Sequence, residues 1–98
     1  MKIKVTGVFT RPNLEVAWWS YSSQTGAVVS ALIKSNDLEV WAVESKDGLT
    51  LNTVMLYHTQ AAFDTFINDP TVMAERTARD EYYQSKGVTV NITKETIE

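Results

Sequence analysis

From Lys2 to Thr10 the chain alternates, with Ile3, Val5, Gly7 and Phe9 on one side and Lys2, Lys4, Thr6 and Val8 on the other. A period of two is that of a half-buried strand, because successive side chains leave a strand on opposite faces. Arg11-Pro12-Asn13 ends it, since proline donates no amide to a ladder and biases its predecessor toward extended geometry. The stretch Leu14 to Tyr21 fits neither the strand nor the helix period and predicts an irregular or partly extended connection.

Ser22 and Ser23 are candidate N-caps for a helix that carries Ala27, Val28, Ala31 and Leu32 on one stripe and ends near Asn36. Gly26 and the β-branched pair Val28-Val29 weaken it, so a strand over 27–33 is the competing reading, one that would break the order of elements drawn below. Leu38 to Glu44 and Leu49 to Tyr57 are rich in strand formers, and Asp47-Gly48 between them is a hairpin signal because both residues tolerate positive φ. Thr59 can cap a helix with Ala62, Phe63, Phe66 and Ile67 at three- and four-residue spacing, ending at Asn68-Asp69. Pro70 opens a second helix to Ser85, closed by Gly87 and bent relative to the first. Its predicted buried stripe is Met73, Ala74, Ala78 and Tyr82, leaving Glu75, Arg76, Arg79, Asp80 and Tyr83 toward solvent, with Glu75 and Arg79 in ion-pair spacing. Val88, Val90 and Ile92 alternate with Thr89, Asn91 and Thr93 in a last strand.

Strand, helix, strand, strand, helix, strand is the split βαβ order of an α+β, ferredoxin-like fold: a single domain over residues 1–98 whose four-stranded antiparallel sheet carries its helices on one face. The other face stays uncovered, and a chain of 98 residues buries only a modest core, so a homodimer pairing two such faces is expected.

Composition narrows the chemistry. The 44% apolar and 21% charged content is that of an ordinary globular chain. A net charge of −3 with dispersed basic groups argues against nucleic acid. Zero cysteines exclude disulfides, a thiolate nucleophile and thiol-ligated metal, and one histidine excludes a His-rich metal site within one chain. No phosphate-cradling loop, nucleophile elbow or calcium loop occurs, so neither a cofactor nor a metal is expected. The chain opens directly into its first strand without a targeting or membrane-spanning run, which predicts a cytoplasmic protein with no membrane partner.

The strand end Val54-Met55-Leu56-Tyr57-His58, running into Thr59-Gln60-Ala61-Ala62-Phe63-Asp64-Thr65-Phe66 and then Asn68-Asp69-Pro70 and a long helix, resembles the dimeric α+β barrel superfamily that includes antibiotic-biosynthesis-monooxygenase-like proteins. The element order extends this likeness over nearly the whole chain, whereas the motif reports packing more than chemistry. The haem-degrading branch would place an Asn in the first strand, a Trp at the end of the third and a His on the last helix. Gly7, Tyr57 and no histidine stand there, so the resemblance does not extend to haem degradation.

Trp18, Trp19, Tyr21 and Trp41 are a heavy aromatic load, and with Tyr57 and His58 they are the candidate ligand-binding residues. The same aromatics serve equally well in a core or a dimer interface. His58 is the only side chain with an unperturbed pKa near neutrality, which with Tyr57 makes it the candidate for proton transfer, although a capping or surface role suits its position at an element boundary. Three functions follow as alternatives. The chain binds a small apolar or aromatic molecule between sheet and helices; or it is a cofactor-independent monooxygenase-like enzyme on an electron-rich aromatic substrate, positioned by Trp41, Tyr57 and His58; or it is a structural dimer without ligand.

Overall fold

In the computed structural model, which describes Met1–Glu98, seven elements follow one another: β1 (Lys2–Thr10), α1 (Ser23–Lys34), β2 (Leu38–Glu44), β3 (Thr50–Tyr57), α2 (Gln60–Ile67), α3 (Pro70–Lys86) and β4 (Thr89–Ile97). The strands form one antiparallel sheet in the order β2-β3-β1-β4. This is the ferredoxin-like topology. The stretch 27–33 is helical, because Ser22 caps α1 by accepting the Thr25 amide and the helix buries Thr25 and Leu32 against the rest of the molecule. Tertiary packing thus overrides the weak propensity of Gly26 and Val28-Val29.

Local chemistry explains the remaining boundaries. Thr59 accepts the Ala62 amide at the start of α2. Asp69 accepts the Thr71 and Val72 amides in front of Pro70, and Gly87 ends α3 at φ 75°, a left-handed conformation suited to glycine. In the β2–β3 connection Gly48 has positive φ while Asp47 does not; Asp47 instead accepts from the Ser45 hydroxyl and the Leu49 amide, and these bonds hold its carboxyl below the usual range.

Register places Ile3, Val5, Gly7 and Phe9 of β1 beside Tyr57, Met55, Thr53 and Leu51 of β3, all on the face that meets the helices. The core on this face is in two parts. One gathers Ile3, Leu32, Leu38, Tyr57, Ala62, Phe66 and Val72; the other gathers Phe9, Tyr83 and Val88, flanked by Trp18, Trp19 and Tyr82. Gly7 lies between them in β1. A Cβ there would sit 2.6 Å from the Thr53 hydroxyl and 2.8 Å from the Phe9 ring, so the sheet is closed by neighbours leaning over a bare backbone rather than by a side chain.

The helix α3 turns a different face inward from the one its apolar spacing predicts. Val72, Arg79 and Tyr83 are buried, whereas Met73, Ala74 and Ala78 are exposed. Glu75 and Arg79 make no ion pair with each other. Glu75 is met by the connection before α1, and Arg79 by Tyr21 of that connection as well as by its neighbour Asp80; the pairings across more than 50 residues are ones helix periodicity does not contain.

Candidate functional site

A cavity of about 380 Å³ opens between the sheet and the helices, in the range of small-molecule pockets. Its floor is Val5, Gly7, Thr53 and Met55; its walls include Phe63, Phe66 and Val72 from the helices and Trp19 and Tyr21 from the connection. Of 24 lining residues 17 are hydrophobic, and the charged ones, Glu75, Arg76 and Arg79, all come from α3.

These charges have unequal surroundings. Glu75 is half-buried; its Oε2 accepts the Trp19 indole N–H at 3.0 Å and the Ser22 amide at 2.7 Å, and its Oε1 accepts the Ser22 hydroxyl at 2.8 Å. Together with the Thr25 hydroxyl, the largest influence, these donors hold its pKa down to about 2. Arg79 is buried, donates to Asp80 through Nε and Nη2 and to the Tyr21 hydroxyl at 3.1 Å through Nη1, and lies over the Phe9 ring. Arg76 is half-buried on the cavity wall and makes no hydrogen bond or ion pair with the rest of the protein.

Across the same cavity Tyr57 is 1% exposed, and its hydroxyl donates only to the Met55 thioether at 3.5 Å. Sulfur is a weak acceptor, so this donor is poorly used. Burial pushes the phenol well above its ordinary pKa, against the opposing pull of the Arg76 charge, and keeps it protonated.

The connection over residues 11–22 is a strap rather than a free loop. Arg11 donates to the Gly48 and Val16 carbonyls, the Trp18 indole to Glu44, the Trp19 amide to the Tyr83 hydroxyl, and the Tyr82 hydroxyl to the Ala17 carbonyl. Through these bonds the strap closes one end of the cavity.

The chain and three solved proteins share this architecture at low sequence identity. An antibiotic biosynthesis monooxygenase-like protein from Deinococcus radiodurans superposes with a TM-score of 0.60 at 13% identity, over 98% of this chain and 92% of that one. SnoaB, a cofactor-independent oxygenase from Streptomyces nogalater, gives 0.61 at 12% identity over 99% and 93%. The chain has the fold of the antibiotic biosynthesis monooxygenase-like proteins. A conserved protein of unknown function from Bacteroides thetaiotaomicron has the same fold, with a TM-score of 0.63 at 6% identity over 98% and 97%. In sequence, no protein-family model and no curated protein matches.

Within this monooxygenase-like fold the expected site residues divide. Trp19, Tyr21, Trp41 and Tyr57 line the cavity. Trp41, on the edge strand β2, also borders a shallow depression on the opposite sheet face with Lys4, Val54, Leu56 and Ile97. Trp18 lies outside the lining, stacked under the Arg11 guanidinium at 4.4 Å. His58 lies outside it as well, rather than at its mouth; its Nδ1 faces the Asn36 carbonyl and its Nε2 the Glu39 carboxylate at 2.7 Å. Both partners are acceptors, so the doubly protonated ring is favoured, and Glu39 first and then the Asn36 carbonyl raise its pKa. The expected solvent face of α3 is corrected for Glu75, Arg76, Arg79 and Tyr83, which border the cavity instead. Two clues to this were in the sequence: a helix whose polar residues repeat at three and four, and a preceding aromatic stretch rich in N–H and O–H donors. No group of three or more His, Asp or Glu side chains is placed to hold a metal, and no helix is long and apolar enough to cross a membrane.

Two predictions follow from these contacts. Glu75→Ala leaves the Trp19 indole and Ser22 donors without their acceptor, so amide exchange over residues 17–22 should rise roughly tenfold, about what one lost hydrogen bond permits. Because the Glu75 pKa is depressed, its contribution is present above the ordinary carboxylate range and lost only as pH falls through about 2, so wild-type protection should persist at pH 4. Exchange unchanged by the substitution would show that the strap is held elsewhere. For His58 the sign is opposite: Glu39, then the Asn36 carbonyl, raise its pKa, so its stabilisation is complete below about pH 6.5 and is lost as pH rises through the raised value. Urea midpoints should fall over that window in the wild type and flatten in His58→Gln.

Proposed function

We propose that this chain binds a flat, mostly apolar or aromatic small molecule in the cavity between sheet and helices. The observation that carries this reading is the cavity itself, about 380 Å³ walled by aromatic and aliphatic side chains that divide the core in two. Empty apolar space forfeits dispersion contacts with whatever would fill it, and an inserted aromatic ring restores them. Trp19, Tyr21 and Tyr57 are placed to pack on such a ring, with Trp41 at its edge.

The protein works as a homodimer in this reading. On the sheet face away from the helices Trp41 is 49% exposed and Val43 65%, with Val54, Leu56 and Ile97 alongside. A patch of this kind on a sheet is what a second copy would cover.

A second reading, cofactor-independent oxygenation of an electron-rich aromatic substrate, is favoured by the shared fold with SnoaB. The electron-rich substrate itself would supply the electrons: dioxygen is reduced by four electrons, one oxygen atom entering the product in place of two substrate hydrogens, which leave with the other oxygen as water. Tyr57 and Trp41 would then orient the ring.

Native mass spectrometry of freshly purified protein tests the first reading together with its assembly. The expected spectrum is a dimer carrying additional small-molecule mass, converted by Val54→Glu to a monomer because the new charge sits at the centre of the exposed face. A wild-type monomer would refute the face-pairing reading. An apo dimer whose tryptophan emission responds to no aromatic probe would refute the pocket reading.

A further inference from the structure

Two donors in the cavity have no adequate partner inside the protein, and both belong to residues that line it. The Arg76 guanidinium is half-buried and unpaired, although its neighbours on α3 are fully engaged: Glu75 with Ser22 and Trp19, Arg79 with Asp80 and Tyr21. The Tyr57 hydroxyl is buried with only a thioether to accept from it. A buried O–H normally finds an oxygen acceptor, and a part-buried guanidinium normally finds a carboxylate. Neither donor has such a partner in the chain: Glu75 accepts from Ser22 and Trp19, and Asp80 accepts from Arg79.

We infer that Arg76 and the Tyr57 hydroxyl form an oxyanion subsite in the cavity wall, and that the bound aromatic molecule carries one ionised oxygen group, a carboxylate or phenolate, held there. This rests on the cavity being the ligand site and deepens that reading by fixing a charge on the ligand. Arg76 and Tyr57 both line this one cavity, so a ligand held in it has both donors on its walls. The apolar walls would strengthen their hold, because a charge-assisted hydrogen bond gains as water is excluded. Glu75, the one carboxylate lining the cavity, stays ionised under its donors from Ser22 and Trp19 and repels an anion placed beside it. The anionic end of the ligand therefore belongs at Arg76, and its ring belongs over the Gly7–Thr53–Met55 floor.

Binding of three naphthalene probes, followed by tryptophan emission and calorimetry on the intact protein, tests this. The probes are 2-naphthoate, neutral 2-naphthamide of the same shape, and 2-naphthol. In wild type 2-naphthoate is expected to bind about tenfold or more tighter than 2-naphthamide if the site takes a carboxylate. If it takes a phenolate, 2-naphthol affinity should instead rise as pH approaches about 10, where a phenol ionises. Arg76→Met, which removes no bond of the free protein, should bring the affinities of the ionised and neutral probes within about twofold of each other. Tyr57→Phe, which keeps the ring, should weaken the ionised probe severalfold. Equal affinity for ionised and neutral probes in wild type would overturn the oxyanion subsite and leave the apolar pocket standing, whereas failure of all three to bind would overturn both.

Discussion

The carboxylate of Glu75 is the contact around which the strap, the start of α1 and the aromatic end of the core are organised. An anion withdrawn from bulk water is tolerated only if its lone pairs are filled, and here the strap and the N-terminus of α1 fill them: the Trp19 indole, the Ser22 amide and the Ser22 hydroxyl converge on one group. Ser22 serves twice, donating to Glu75 while its oxygen accepts the Thr25 amide as the cap of α1. One carboxylate on α3 thereby fixes where the strap crosses, where α1 begins and which way the Trp19 ring faces. Trp19 in turn lies 5.7 Å from Tyr82, and its amide takes the Tyr83 hydroxyl, so the aromatic end of the core inherits the same anchor.

With that end pinned, the core cannot close over the middle of the sheet. A polar wall from α3 and a strap held by directional bonds keep the helices from settling onto the bare backbone at Gly7, and two apolar clusters form on either side of the gap. Void space of this size is unfavourable for a chain of 98 residues with few buried side chains. The space nevertheless lies between two packed clusters and is lined by donors that the fold leaves unused.

Much of the fold was legible because its signals are local. The alternation of Lys2–Thr10, the Asp47-Gly48 turn, the Thr59 cap and the Pro70 and Gly87 bounds of α3 each depend on residues within a few positions of one another, and each element stands where those signals put it. The last strand runs on to Ile97, beyond the alternation ending at Thr93, because its pairing with β1 continues to Lys2. The site was less legible because its signals are not local. Glu75 and Arg79 read as a solvent-facing pair from their spacing alone, and only the return of Trp19, Ser22 and Tyr21 across the top of α3 makes the inward face polar. His58 drew notice as the lone histidine, yet its two acceptors make it a clasp between the α1–β2 turn and the end of β3.

Strand alternation also ties the cavity to the opposite face of the sheet. Val40 and Ala42 of β2 point toward the helices and line the cavity, while Trp41 between them pairs with Val54 and borders the open face as well as the cavity rim. Because β2 is an edge strand, its backbone is paired on one side only, with β3. Covering the open face would therefore restrain β2 and with it the rim at Val40 and Trp41, and a ring bound in the cavity would restrain the same strand from the other side. Both events narrow the freedom of one edge, so each lowers the ordering cost of the other without any new contact between ligand and partner. A lone chain has this edge free on both counts, so under the proposed reading assembly and ligand binding would support each other.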